Sequence, residues 1–356
     1  MTAPTRVPDQ ARLEALAERM TNDVGAALAC AVVVMGDRLG IYRALAQIGA
    51  ADAPKLADAL GLSPRMVTEW LLNQAAGGYI SYDPDDRTYY LTPEQEALLA
   101  DESSPSFLAG AFQFATAMIK AEERIGDTFR TGAGMLWGEH HPDLFQGLAR
   151  FSRPIYSHRL VDVFIPAVAG LAERLEAGAV VADIGPGHGH STTLLAQRFP
   201  ASRFYGFDNH PASVAEAQRL ADAADLGDRV RFEVADATSF PDHGYDVITF
   251  FNCMHDVAFA DACARHCHDV LRPDGYLFMV EPIGGDEVED NFTPAGRLMS
   301  GASVLCCTPH GMVDGGSALG TVVADSRLRE IMLDAGFSSF ERVMTTRYNR
   351  VFAGRL

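Results

Sequence analysis

Cysteine is scarce in this chain, six residues in 356, and the scarcity excludes a disulfide framework. Cys30 stands alone while Cys253, Cys263, Cys267, Cys306 and Cys307 come late, a pattern that suits a reducing, cytoplasmic setting. Positive charge is also short, with 29 Lys and Arg against 47 Asp and Glu, a formal net charge of -18 and a pI near 4.9. So acidic a chain repels a phosphate backbone, which argues against a nucleic-acid partner. The longest apolar run, residues 26–35, is shorter than a bilayer span, and the N-terminus lacks the basic and apolar regions of a secretion signal. The expectation is a soluble cytoplasmic protein with no membrane partner.

What is present is ordinary globular material. Hydrophobic residues make up 48% and charged residues 21%, enough apolar surface to offset chain entropy. At this length one core stops growing, so more than one lobe is expected.

Residues 9–35 read as a helix, with Leu13, Leu16, Met20 and Val24 at three- and four-residue spacing before a wholly apolar stretch. So apolar a surface needs a partner, either its own subunit or a second copy across a dimer seam. Helices follow at 37–46 and 52–60, Gly61 stops the second of these, and Ser63 with Pro64 opens another. A strand pair at 79–82 and 89–91, joined by Asp83, Pro84, Asp85 and Asp86, completes the order of a winged helix. Between Gly36 and Ala100 five basic residues face nine acidic ones, so protein contact is expected of this domain rather than DNA.

Residues 101–175 read as helical and rich in aromatics, broken by Thr131, Gly132, Ala133 and Gly134. Trp137, Glu139, His140 and His141 fall on a loop there that could cover an acceptor. From Ala179 strands alternate with helices at 180–184, 203–208, 229–236, 245–252 and 276–281, followed by 337–345 and 349–354 with no helix between. The alternation predicts an α/β fold with a Rossmann-like seven-stranded sheet, its last strand antiparallel, and ligands at the carboxyl ends of the strands. The expected domains are 1–100 for dimerisation and the winged helix, 101–175 as an acceptor-covering helical segment, and 176–356 as the donor-binding domain.

The first of these strands runs into Gly185, Pro186, Gly187, His188 and Gly189, and a helix opens at Ser191 and Thr192. Such a loop lets backbone approach a ligand at a helix N-terminus. It is not a dinucleotide fingerprint, because His190 holds the closing glycine position. Asp208 ends the second strand, 23 residues after Gly185, where a carboxylate can take both ribose hydroxyls, and Asp236 with Ala237 ends the third. One ligand explains all three positions.

The run V-V-A-D-I-G-P-G-H-G, the Phe207-Asp208 pair, Ala235-Asp236-Ala237 and L-R-P-D-G at 271–275 resemble the class I S-adenosylmethionine methyltransferases. With the winged helix in front, the chain resembles the plant caffeate-type and bacterial small-molecule O-methyltransferases, which are homodimers. The resemblance implies S-adenosylmethionine as donor, with Asp183 inside the motif, Gly185, Gly187 and Gly189 beside the methionine part, and Asp208 on the ribose. It also implies Asp236 and Ala237 at the adenine, and Phe251 and Asn252 beside the sulfonium.

Just beyond the fourth strand stand Met254, His255 and Asp256, where the resembled enzymes place His-Asp and use the histidine as base. A hydroxyl is a poor nucleophile until its proton is removed, and imidazole titrates near neutrality. His255 is therefore the expected base, with Asp256 next to it and Glu281, ending the fifth strand, orienting it. Trp137, His140, Met299 and His310 are expected at a small-molecule acceptor, with Cys306 and Cys307 in the lid beside His310.

Where the family's phenolic enzymes carry asparagine and methionine, this chain has Ser152 and Ile155, though Phe151 and His158 agree. O-methylation is the default, and N- or C-methylation stays open. So do a ligand-sensing regulator and a donor-binding protein without catalysis. No metal is expected: Cys263, His266, Cys267 and His268 fall on a predicted helix without a second ligand pair, and Asp286, Glu287, Glu289 and Asp290 read as a solvated loop.

Overall fold

The computed structural model describes residues 8–356; residues 1–7, at the start of the expected N-terminal domain, lie outside the described residues. The chain forms two compact units, one reaching to Thr116 and the other running from Ala117 to Leu356.

In the first unit the helix Gln10–Arg38 is opened by Asp9, whose carboxylate accepts the Arg12 N–H at 3.0 Å. It runs past the expected end at 35 because the break falls at Gly40, where φ is +75° and glycine is tolerated, so the next helix is Ile41–Ile48 instead of 37–46. Ala29, Val33 and Val34 are buried, while Leu13, Leu16, Met20, Val24 and Leu28 are exposed. By length and composition this helix could cross a bilayer, which the run at 26–35 alone did not suggest.

Ala53–Leu60 and Pro64–Ala76 follow, and Gly61 turns between them with positive φ as expected. Asp52 caps the first, but the side chain of Ser63 makes no capping bond to the second. The wing is β1 (Ser81–Asp83) paired antiparallel with β2 (Thr88–Tyr90), β1 starting two residues later than expected and one residue shorter, β2 of the expected length but one residue earlier. A small apolar core of Val33, Tyr42, Leu45, Leu56, Trp70 and Leu71 holds the unit, and the Tyr42 hydroxyl donates to buried Gln74.

The second unit is built on a seven-stranded sheet of β3 (Val180–Ile184), β4 (Arg203–Asp208), β5 (Val230–Val234), β6 (Tyr245–Phe251), β7 (Leu271–Pro282), β8 (Ser339–Thr345) and β9 (Asn349–Arg355). Their order is β5-β4-β3-β6-β7-β9-β8, and only β9 runs against the rest. β7 begins earlier than expected because Leu271 already pairs with Tyr245; Tyr276 then pairs with Val247, so Arg272–Gly275 bulge out of the ladder.

All seven residues of β6 are buried, as expected for a central strand covered on both faces. Val247 and Phe251 join the apolar cluster on one face, and Ile248 and Phe250 the cluster on the other. With its centre fixed this way, the sheet presents the ends of β3, β4, β6 and β7 along one edge.

Candidate active site

β3 leaves the sheet at Gly185, whose N–H donates to Phe207 O at 2.8 Å and whose φ is +66°. A Cβ at this position would collide with the sulfur of Cys253, so both conformation and space demand glycine. Gly187 and Gly189 also have positive φ, and a Cβ at Gly189 would strike the Phe232 ring. Asp208, at the end of β4 and almost fully buried, closes the loop from the other side: Oδ2 accepts the Gly187 N–H at 3.0 Å and Oδ1 the His210 N–H at 2.9 Å. Burial holds its pKa above the usual carboxylate value, although those two N–H donors oppose the shift.

Asp183, one residue before the end of β3, is fully buried. Its Oδ2 accepts from Ser191 Oγ at 3.0 Å and Thr192 Oγ1 at 2.6 Å, and its Oδ1 from Thr249 Oγ1 at 3.0 Å. The carboxylate thus ties the loop's helix to β3 and β6, and burial pushes its pKa up to about 6. Thr249 escaped the sequence reading, since one threonine inside an apolar strand gives no periodic signal.

β5 ends at Val234, before the expected 236, because Asp236 turns the chain by accepting from Thr238 N at 2.8 Å and Oγ1 at 2.6 Å. Asp236 is exposed and Ala237 half-buried in the loop beyond the strand.

β6 ends at buried Phe251, which packs on Tyr156 at 5.5 Å between ring centres. Asn252 then adopts φ +54°; its Nδ2 donates to the Tyr156 hydroxyl at 2.8 Å and its Oδ1 accepts from Asn349 Nδ2 at 3.1 Å. Asparagine tolerates this left-handed conformation better than most side chains, and the turn it makes throws Met254–Asp256 into a short 3-10 helix. Tyr156 and Asn349 were not legible as site residues, because each is brought in from an element remote in sequence.

That helix places His255, 3% exposed, against Glu281, 0% exposed. His255 Nδ1 is hydrogen-bonded to Glu281 Oε2, and the other oxygen, Oε1, accepts the N–H groups of Cys253 at 3.2 Å and Met254 at 2.9 Å. His255 Nε2 faces Asp256 Oδ1 at 3.3 Å. Burial alone would lower the pKa of this ring, but the charges of Asp256 and Glu281 outweigh it and raise the value well above that of an ordinary imidazole. The histidine is thus oriented and held basic through its Nδ1.

Around Trp137 a second group gathers: His140 at 6.1 Å, Phe145 at 5.7 Å and His310 at 5.6 Å between ring centres. The loop carrying Trp137 is tied to the helix carrying His310, since Met135 N donates to Pro309 O at 2.9 Å. His140 is 3% exposed, yet neither ring nitrogen has a hydrogen-bond partner; His310 Nδ1 and Asp256 Oδ1 are likewise buried and make no hydrogen bond. Burial, then His310, keeps the pKa of His140 low. Met299 is buried on Pro294–Ala302, the helix leading through the π-helical segment Ser303–Cys307 to His310. The cysteines and histidines set aside on sequence lie on Ala260–Val270, where Cys263 and Cys267 are buried and His266 Nε2 bonds Phe240 O at 2.8 Å.

A glycine loop and buried acids thus stand at the ends of parallel strands of a Rossmann-like sheet, with a carboxylate-bound histidine four residues past β6. Residues 175–323 match the family model described as a methyltransferase domain, and residues 26–101 match that of an Rv2258c-like winged HTH domain. The methyltransferase-domain match falls within the second unit and the winged-HTH match within the first.

Among curated proteins, trans-aconitate 2-methyltransferase of Shigella dysenteriae is 48% identical over 130 residues, 36% of this chain and 49% of that protein. A hybrid PKS-NRPS synthetase of Emericella nidulans is 30% identical over 173 residues, 46% of this chain and 4% of its own length. The chain spans half or less of the curated relatives it matches.

Whole-chain folds are shared with a protein of Nostoc punctiforme described as an O-methyltransferase (TM-score 0.73, 19% identity, 98% of this chain and 99% of that one). They are shared too with a mitomycin 7-O-methyltransferase (TM-score 0.69, 21% identity, 97% and 100%). Human N-acetylserotonin methyltransferase, solved with S-adenosylmethionine, gives a TM-score of 0.67 at 17% identity, with 99% of each chain covered.

Proposed function

We propose that this protein transfers a methyl group from S-adenosylmethionine to a hydroxyl of a small molecule, and that it works as a homodimer. The observation that carries this reading is the His255–Glu281 pair standing at the same sheet edge as the glycine loop and Asp208.

The residues suit the donor. A Cβ at Gly185 or Gly189 would collide with neighbouring side chains, so only bare backbone fits at these two positions, and the buried Asp208 carboxylate sits against the loop. Gly185, Gly187 and Gly189 would lie along the methionine part, Asp208 at the ribose, Asp236 and Ala237 at the adenine, and Phe251 and Asn252 near the sulfonium. Asp183, with both oxygens engaged, would act by holding the loop. When bound, S-adenosylmethionine supplies an electrophilic methyl group that is lost by in-line displacement.

His255 Nε2 takes the acceptor proton while Glu281 holds the ring through Nδ1 and stabilises the imidazolium, a general-base role. Asp256 supports the same charge. Trp137, Met299, His140 and His310 wall the acceptor, and the unpartnered nitrogens of the two histidines suit an acceptor with several polar groups. Positioning of acceptor and methyl group supplies much of the rate.

The homodimer rests on Gln10–Arg38, whose Leu13, Leu16, Met20, Val24 and Leu28 lie exposed at helical spacing. Arg12, Glu14, Glu18, Arg19 and Asp23 interleave with them, charges that a bilayer would have to bury and a second copy need not. The six free thiols support a cytoplasmic setting.

The test is methyl transfer from labelled S-adenosylmethionine to a panel of hydroxylated aromatic acceptors, by the native protein and by His255→Ala. Product from the native protein, reduced on the order of 100-fold or more in the variant, supports the reading; equal rates would remove His255 from the chemistry.

A further inference from the structure

One ligand atom each from His255, Asp256 and Cys307 lies within 4.8 Å of the other two. Asp256 and Cys307 come from separate elements, the 3-10 turn after β6 and the π-helical segment Ser303–Cys307, so local geometry alone does not bring the three together. Imidazole, carboxylate and thiol are the donors that zinc takes from proteins, and three of them with one position open is the arrangement of an accessible zinc site.

The His255–Asp256 edge of this triangle fits. His255 Nε2 and Asp256 Oδ1 are 3.3 Å apart, and two ligands about 2.0–2.1 Å from a tetrahedral zinc stand about 3.3–3.4 Å from each other. As a hydrogen bond the pair is poor: Asp256 Oδ1 is buried and has no hydrogen-bond partner. The outer shell fits too. A zinc-bound histidine as a rule engages a carboxylate through its other ring nitrogen, and Glu281 is bound to His255 Nδ1 while two backbone N–H groups fix its second oxygen. Buried His140 with neither nitrogen paired lies within the electrostatic reach of Asp256, so this space has further unspent ligand-binding capacity.

We propose that His255, Asp256 and Cys307 form a Zn²⁺ site that switches the protein off by occupying the nitrogen otherwise used as base. Cys307 binds as thiolate and His255 as neutral imidazole, so the thiol proton and any proton on Nε2 leave to solvent as the metal enters. The metal and the acceptor hydroxyl then compete for Nε2. Metal binding itself is independent of the methyltransferase reading; only the inhibition rests on it.

The experiment titrates the chelator-treated full chain with ZnCl₂ by calorimetry and with Co²⁺ by absorption, alongside Cys307→Ser and Asp256→Asn. S-adenosylhomocysteine binding is measured on every sample. The expected result is one Zn²⁺ per chain, a thiolate-to-Co²⁺ charge-transfer band that Cys307→Ser abolishes, and Zn²⁺ affinity lowered on the order of 100-fold in Cys307→Ser. In a transfer assay Zn²⁺ inhibits and a chelator restores the rate.

Absence of stoichiometric Zn²⁺ binding by a native protein that still binds S-adenosylhomocysteine overturns the site, and so does equal affinity in Cys307→Ser. Stoichiometric, Cys307-dependent zinc binding without S-adenosylhomocysteine binding upholds the site while refuting the methyl-transfer reading.

Discussion

Glu281 divides its two carboxylate oxygens between His255 and the backbone that carries His255: one meets the ring at Nδ1, and the other accepts the Met254 N–H at 2.9 Å. His255 and its turn are thereby fixed by one side chain from the neighbouring strand. Loss of one partner of such a buried pair costs about 3–5 kcal/mol. Glu281→Ala should lower the thermal midpoint by several degrees and abolish transfer, whereas Glu281→Gln should keep much of the stability and lose most of the rate.

The same pair sets the pH dependence. Because Asp256 and Glu281 raise the pKa of His255 despite its burial, the free base appears only well above the usual imidazole value, so kcat/KM should climb through an inflection on the alkaline side of about 6.5. Glu281→Gln should bring that inflection down. A raised folded-state pKa also means that His255 stabilises the fold fully below about 6.5, and that this contribution is lost as pH rises through the folded value. Melting curves from pH 6 upward should therefore fall less steeply in His255→Gln.

Asp183 should behave differently. Its pKa of about 6 against about 3.9 when unfolded means the native state prefers the protonated acid, a preference worth about 3 kcal/mol by the shift alone. The contribution is complete below about pH 4 and lost as pH rises through about 6. Asp183→Asn should flatten the stability profile across that window, as melting at stepped pH would reveal, and an unchanged profile would refute the assignment.

Gly185→Ala places a Cβ against the Cys253 sulfur at a positive φ, a strain of about 1–3 kcal/mol. The variant should fold with a lowered midpoint and bind S-adenosylhomocysteine at least tenfold more weakly, roughly 1.4 kcal/mol, in calorimetry.

These site residues were legible to different degrees, for physical reasons. The strand-end acids and the glycine loop show in the sequence because they are local: a β run, a turn, a helix start. The alternation of strands and helices likewise yielded all seven strands of the sheet. Its strand ends were less legible: Asp236 bends away two residues early through Thr238, and Leu271 joins β7 by pairing across a bulge. Tyr156 against Asn252 and Cys307 beside His255 depend on packing between remote segments, which no period encodes. The helix break at Gly40 was misplaced because Asp37 and Arg38 look like a boundary, yet Asp37 is buried and the helix runs through it.

The proposed dimer should fail with its apolar helix face. Leu16→Glu with Met20→Glu puts charges on two exposed apolar positions, and light scattering should report the mass falling from twice 38.4 kDa to 38.4 kDa. A native protein already at the single-chain mass would contradict the dimer.

The glycine loop and Asp208 should together bind the donor, which calorimetric titration with S-adenosylmethionine and S-adenosylhomocysteine would measure on the native protein and on Asp208→Ala. Micromolar binding of both by the native protein, lost in a variant that melts as a folded protein, is the predicted result. No heat of binding from the native protein would rule out the donor site.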